Sequence, residues 1–192
     1  MPPSDFLKKK WERVFYQFFD LDHNMTVDWA DFEVFFEQIK KDRGADSVEY
    51  RFARDSMTMA WKGLLAVCQG FDIADDCPKD AAITAKDWNA MWEKTDTAAH
   101  MPMWQWEYVK FMFLLLDSSG DKYIDGGEYG EVVKMFGISK DDAMNAFKKF
   151  AVHHKTGAAL DKIDYSMFVK RWIEYFTSDD PKAPGNYLFG MM

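Results

Sequence analysis

Twelve residues, Asp117-Ser118-Ser119-Gly120-Asp121-Lys122-Tyr123-Ile124-Asp125-Gly126-Gly127-Glu128, constrain this chain more than any other segment. Oxygen-bearing side chains stand at positions 1, 3, 5 and 9 of the stretch, a β-branched residue at 8 and a glutamate at 12. That is the ligand order of a calcium loop. A hard dication takes about six to eight oxygens at about 2.3–2.6 Å, and a tight loop closed by a reaching glutamate delivers them from contiguous sequence. Asp117, Ser119 and Asp121 offer side-chain oxygens, Tyr123 its carbonyl, Asp125 an oxygen directly or through water, and Glu128 both carboxylate oxygens. Lys122 departs from the pattern, which has glycine at position 6. The left-handed backbone expected there costs a residue with a Cβ about 1 kcal/mol.

A second stretch, Asp20 to Asp31, carries the same order. Asp20, Asp22, Asn24 and Asp28 occupy positions 1, 3, 5 and 9, Thr26 is the carbonyl donor at 7, and Val27 takes position 8. Met25 stands at position 6 and Asp31, not glutamate, at position 12. Aspartate is one methylene shorter and reaches an ion less easily with both oxygens. Fewer ligands are therefore expected here, and more tolerance of magnesium, which prefers six-coordinate geometry.

Either loop alone is compatible with a solvated acidic turn. Both, however, lie between amphipathic helical patterns. Phe6, Trp11, Val14, Phe15, Phe18 and Phe19 precede Asp20, and Phe32, Phe35, Phe36 and Ile39 follow Asp31. Trp106, Val109, Met112, Phe113 and Leu116 precede Asp117; Tyr129, Val132, Val133 and Phe136 follow Glu128, with Gly137 as a stop. These spacings predict helix–loop–helix units, or hands.

Such loops pair through their position-8 residues, so each intact loop should have a partner. Ile83 is the position-8 candidate of a second hand, which places Asp76, Asp80, Ala82, Thr84 and Asp87 at positions 1, 5, 7, 9 and 12. Pro78 at position 3 has no side-chain oxygen, and an entering helix ending near Phe71-Asp72 makes the connection about four residues too long. Asp72, Asp75, Asp76 and Asp80 leave an irregular site open. In a fourth hand, Ile163 fits position 8, but Thr156, Ala158, Leu160 and Met167 fill positions 1, 3, 5 and 12. No chelating set survives there, so this hand is expected to be a structural partner. The four starts, near residues 20, 76, 117 and 156, read as one repeated architecture.

Composition narrows the function classes. The 192 residues are 48% hydrophobic and 17% aromatic, ample for a core. No apolar run reaches the length of a membrane span, and the start, Met1 to Lys10, lacks the apolar region of a secretory signal. A net charge of −8 argues against nucleic acid and anionic lipid as partners. Cys68 and Cys77 are expected as free thiols of a reducing cytoplasm. The joining stretch Lys94 to Trp104 is short and ends apolar, with Pro102 opening the next helix. Residues 41–48 read as a polar loop around Gly44, and Arg51 to Val67 as a long helix with Met59, Leu64, Leu65 and Val67 among its apolar positions. The eight tryptophans are expected to fill a shared core. Tyr187, Leu188 and Phe189 are too apolar for a free terminus and are expected to fold back onto the protein and cover apolar surface between the halves.

The two acidic loops, the aspartate closing the first of them, the Trp88…Met91-Trp92 exit helix, and the tail from Trp172 to Gly190 resemble the invertebrate sarcoplasmic calcium-binding proteins and the calexcitins. The resemblance covers nearly the whole chain. It implies an all-α, compact four-EF-hand globule, with two paired halves joined by short antiparallel loop ladders. The halves would span residues 1–95 and 103–176, with a packed tail over 177–192. It further implies a calcium-silent fourth hand and a cytoplasmic calcium buffer or sensor of muscle or neurons. Calexcitin-like proteins use hands one to three; Pro78 sets this chain apart at hand two.

Three function classes follow: a buffer, a calcium-triggered interaction protein exposing apolar surface to an unidentified partner, and a coelenterazine-type ligand binder. The thirteen methionines are a weak argument for the second, and their scatter among aromatics favours the core. The third would require cavity histidines, one near the C-terminus, and His23, His100, His153 and His154 all lie elsewhere. No nucleophile triad, phosphate loop or zinc-spaced Cys/His set is present in the sequence, so a non-enzymatic, monomeric calcium binder is expected.

Overall fold

Helices and loops alternate in the order that the apolar spacing predicts. The computed structural model describes residues 3–96 and 99–191; Thr97 and Ala98 of the joining stretch lie outside the described residues, as do Met1, Pro2 and Met192. The helices are α1 (Asp5–Val14), α2 (Trp29–Arg43), α3 (Val48–Gln69), α4 (Ala85–Lys94), α5 (Met103–Leu116), α6 (Gly126–Val133), α7 (Lys140–Phe150) and α8 (Tyr165–Thr177). Four three-residue strands sit in the loops: β1 (Thr26–Asp28), β2 (Ala82–Thr84), β3 (Tyr123–Asp125) and β4 (Lys162–Asp164). β1 pairs antiparallel with β2, placing Val27 opposite Ile83, and β3 pairs with β4, placing Ile124 opposite Ile163. All four position-8 side chains are buried, as the alternation of a short strand requires.

Polar residues at the helix starts fix where the helices begin. Ser4, Ser47 and Ser139 cap α1, α3 and α7, accepting from the backbone N–H of Leu7, Tyr50 and Asp142. Ser47 starts α3 three residues before the Arg51 expected from apolar spacing, and α2 runs on to Arg43, so only residues 44–47 connect the two helices. Lys40, Lys41 and Arg43 at the end of α2 oppose its C-terminal dipole, which favours the extension. Gly70, in the left-handed region at φ 75°, stops α3.

α1 does not end as a regular helix. Phe15–Phe19 form a π-helical turn, closed by the Asp20 N–H donating to the Phe15 carbonyl at 2.9 Å. The wider turn buries Val14, Phe15, Phe18 and Phe19 together, and it delivers Asp20 to the head of the first loop.

The chain divides into two compact units, Met1–Phe111 and Met112–Met192. The first is packed by rings. Trp88 lies against Phe15, Phe19, Trp92 and Trp104, and Tyr108 stacks on Phe19 with centroids 4.6 Å apart. The Trp88 indole N–H donates to the Trp11 carbonyl at 3.0 Å, tying α4 to α1. In the second unit Tyr129, Phe147 and Phe150 form one ring cluster, and Trp172, Tyr175, Phe176 and Phe189 another. Seven of the eight tryptophans are buried; Trp106 is 41% exposed, because it lies on the face of α5 opposite Trp104, Tyr108 and Phe111. Met59 and Val67 are likewise on the outer side of α3, whose inner side is Met57, Trp61, Leu64 and Leu65.

The tail is ordered on the second unit. Leu188 and Phe189 are buried, a 3-10 turn spans Pro184–Tyr187, and the Tyr129 hydroxyl donates to the Leu188 carbonyl at 3.0 Å. Gly185 lies so close to α8 that a Cβ there would come within 2.7 Å of the Glu174 Cβ.

Candidate metal centre

Positions 9 and 12 of these loops are also the N-cap and third residue of the exiting helix. That coincidence folds the sites locally. Asp28/Asp31, Thr84/Asp87 and Asp125/Glu128 each form a reciprocal capping box at the starts of α2, α4 and α6. In the fourth hand Asp164 caps α8, but Met167 has nothing to return. Helix capping is thus common to all four hands and says nothing by itself about a metal.

What separates the hands is where the second oxygen of the position-12 carboxylate goes. Asp31 Oδ2 accepts from the Asp28 N–H at 2.8 Å, while Oδ1 crosses the loop to accept from Leu21 N–H at 2.7 Å and Asp22 N–H at 3.2 Å. Glu128 does the same with a longer arm: Oε2 accepts from Asp125 N–H at 3.1 Å, and Oε1 from Ser119 N–H at 2.9 Å. Each carboxylate therefore clasps the two ends of its own loop. Aspartate manages this because the first loop lies deeper, with Asp20 and Asp31 each 1% exposed.

At the loop heads, Asp20 accepts from the N–H groups of Asn24 and Met25 at 3.0 and 3.1 Å. Asp117 accepts from those of Gly120, Asp121 and Lys122 at 2.8–3.1 Å. The position-5 side chains bond position 7 in both loops, Asn24 Oδ1 to Thr26 N–H and Asp121 Oδ1 to Tyr123 N–H, each at 2.8 Å. Met25 and Lys122 adopt φ of 72° and 71°, so the turn keeps its left-handed form with a Cβ present. Position 4 is left-handed too, at φ 59° for His23 and 75° for Gly120. The backbone cost is then not equal between the loops: the first carries two non-glycine residues in this region, the third only one.

Asp20, Asp22 and Asp31 bring one carboxylate oxygen each within 4.8 Å of one another, which is a chelating arrangement. Burial is the strongest influence on Asp31 and raises its carboxyl above the usual range, against the lowering by its backbone hydrogen bonds. A cation would relieve that penalty, so the donor set fits a hard metal ion. In the third loop Asp121 turns one oxygen to Lys162, whose ammonium lies 3.1 Å from Oδ2 and holds the Asp121 carboxyl below its usual range.

The other hands lack the clasp. Asp87 Oδ2 stays with Thr84, accepting from its N–H at 3.1 Å and its hydroxyl at 2.7 Å. The Ala82 carbonyl accepts from the Gln69 side chain, and Pro78's carbonyl from the Trp61 indole N–H. Asp72, Asp75, Asp76 and Asp80 are exposed, and α3 has already ended at Gln69. The fourth loop pairs with itself: His153 N–H donates to Ala158 O, and Leu160 N–H to Ala151 O, both at 2.8 Å. The Arg171 guanidinium, 2% exposed, donates to the carbonyls of Phe150 and Val152 at the end of α7 and to Glu174.

No family-level sequence profile matches the chain. Calexcitin-1 of Caenorhabditis elegans is 33% identical over 187 residues, covering 97% of this chain and 87% of the relative. The chain belongs to the calexcitin family. Sarcoplasmic calcium-binding proteins I, III and IV of Branchiostoma lanceolatum are 28% identical to this calexcitin-family chain, with 97% of each covered. The solved sarcoplasmic calcium-binding protein of amphioxus superposes with a TM-score of 0.74 at 25% identity, over 98% of both chains. An apoaequorin complex superposes at 0.69 with 14% identity, a likeness of fold.

Two residues of this calexcitin-family member escape a reading of loop chemistry alone. His23 gives only a weak local signal of a left-handed backbone, the tolerance of histidine for that region. Lys162 sits at position 7 of a hand with no chelating set, and only the ladder register, Asp125 opposite Lys162, shows that it reaches the third loop.

Proposed function

We propose that this protein is a calcium buffer with two ion sites, in the loops starting at Asp20 and Asp117. One observation carries the reading: the position-12 carboxylate spans its loop in hands one and three, does not in hand two, and is replaced by Met167 in hand four. In the first site Asp20, Asp22, Asn24, Asp28 and Asp31 would offer side-chain oxygens and Thr26 its carbonyl. In the other, Asp117, Ser119, Asp121, Asp125, Glu128 and the Tyr123 carbonyl would do so. A bound calcium ion neutralises converging carboxylates and replaces the loop-spanning hydrogen bonds as the tie between loop and exit helix. Asp76, Asp80, Ala82, Thr84 and Asp87 form no third site in this reading, because their groups are turned to other partners or to solvent.

Buffering is favoured over signalling because the apolar faces of the helices are already packed against one another within each unit. The ring-on-ring packing around Trp88 supports a filled interior over a ligand chamber. Among the described residues no helix is long and apolar enough to cross a membrane. A monomeric, non-catalytic, cytoplasmic protein is the remainder of the proposal.

Calorimetric titration with calcium, with and without millimolar magnesium, tests it beside a dye that reports apolar surface. Two calcium ions, magnesium competition at the Asp20 loop and a small dye response are expected. A large calcium-specific dye response would replace the buffer with an interaction protein, and a third strong site would reverse the reading of hand two.

A further inference from the structure

The fourth hand carries no chelating set, yet one of its side chains enters the third. β4 runs antiparallel to β3 with Lys162 opposite Asp125. From there the Lys162 ammonium makes an ion pair with Asp121 Oδ2 at 3.1 Å and lies over the Tyr123 ring, 4.2 Å from its centroid. Asp121 and Tyr123 are the position-5 and position-7 donors of the third loop. The first ladder has the same register with a different residue: Ala82 lies opposite Asp28 and has no charge to offer Asn24 or Thr26. One loop thus faces a tethered cation at the place where the other faces a methyl group.

We infer that Lys162 sets the affinity of the third hand for calcium, acting as an internal cation that competes with the ion for Asp121. The inference rests on the calcium reading of the Asp117 loop and deepens it. Lys162 weakens binding in two ways. In the metal-free protein it relieves the mutual repulsion of Asp117, Asp121, Asp125 and Glu128, so the starting state is lower. In the loaded protein its charge stays near the dication and repels it. The aromatic face of Tyr123 keeps the ammonium in place instead of letting it swing into solvent. Both charged side chains are 48% exposed, so the dielectric is close to that of water. A unit charge about 6 Å from a dication then lowers affinity about tenfold without salt and about threefold at physiological ionic strength. The pair of hands becomes unequal through the silent hand: the Asp20 loop is free of this competitor, and the Asp117 loop releases calcium sooner than its carboxylates alone would dictate.

The test is calcium titration of the full chain in Lys162→Met, Lys162→Arg, Ala82→Lys and Glu128→Gln forms, at low and at physiological salt. Lys162→Met keeps the stem over Tyr123 and removes the charge. It should tighten the Asp117 site about threefold at physiological salt and about tenfold at low salt, leaving the Asp20 site unchanged. Lys162→Arg should behave as the parent, which separates charge from packing. Ala82→Lys should weaken the Asp20 site and leave the other alone. In the metal-free state Lys162→Met should also lower thermal stability at low salt, a readout that needs no ion. Glu128→Gln must abolish one calcium step; if it does not, the calcium reading of the loop is wrong. If it does, and Lys162→Met leaves affinity and its salt dependence as in the parent, the role of Lys162 is refuted alone.

Discussion

Met25 and His23 hold a left-handed backbone that glycine adopts without cost, at φ 72° and 59°. Histidine is tolerated in that region better than most residues, so Met25, a flexible side chain left in solvent, bears the larger strain. Met25→Gly should raise the metal-free melting temperature by the equivalent of less than about 1 kcal/mol, since glycine's greater freedom when unfolded offsets part of the relief. A lower melting temperature would show that the turn is unstrained. The position-12 residues allow a sharper comparison. Asp31→Asn and Glu128→Gln should each remove one calcium step, and magnesium should compete more strongly at the step that Asp31→Asn removes, because the shorter arm favours six-coordinate binding. Equal competition at both steps would argue against that ranking. The thiols provide a pH test. Burial pushes Cys68 up to about 12 from 9.0, and the charge of Asp87 adds to the rise. Burial also raises Cys77, but Lys79 and Lys62 pull it back. Alkylation by iodoacetamide at pH 8 should therefore label Cys77 first. A thiol raised in the folded state disfavours its thiolate there, so the Cys68 contribution is neutral below pH 9 and turns destabilising as pH climbs from 9 toward 12. Cys68→Ala should flatten that alkaline decline; an unchanged decline would show that another group causes it.

At the scale of elements, the tail behaves as an extra layer of the C-terminal unit. Leu188 and Phe189 are buried, and such side chains contribute about 1.5–3 kcal/mol each when fully removed from water. Gly185 meets α8 without room for a Cβ, and its N–H donates to Glu174 at 2.6 Å. Gly185→Ala should cost about 1–3 kcal/mol through forced displacement of the tail, and removal of residues 185–192 should in addition raise dye binding as Trp172, Tyr175 and Phe176 lose their cover. Unchanged melting in both variants would mean that the tail is dispensable. Loop pairing and the burial of Leu188 and Phe189 were legible in the sequence, because each rests on local chemistry: a β-branched residue at position 8, an apolar terminus. Trp106 was not legible, since the spacing of α5 is apolar nearly all round and only its packing decides which ring faces outward. Nor was Arg171. A long cation turns inward only where carbonyls need it, and that need arises from how α7 ends against α8. The π-helical turn at Phe15–Phe19 was missed because its residues also satisfy a regular helical stripe.

For the molecule as a whole, the proposed two sites set against four hands would make half of the repeats scaffolding for the other half. Complete calcium loading should leave hydrogen exchange in β2 and β4 nearly unchanged while slowing it in the loops starting at Asp20 and Asp117. Large protection appearing in all four loops would point to four responsive hands. The buried guanidinium of Arg171 extends this into kinetics. It already bridges the end of α7 and the side chain of Glu174, which also receives the tail at Gly185. Strand β4, which pairs with β3 of the third loop, leads directly into α8, the helix that these contacts anchor. In the proposed reading, calcium entering the Asp117 loop meets a partner strand held by these contacts, so its capture in a stopped-flow experiment should be a single fast phase, linear in calcium concentration, with no lag from folding. Arg171→Met would introduce that lag: the partner strand would have to find its place first, and the arrival of the ion would no longer be the slow event.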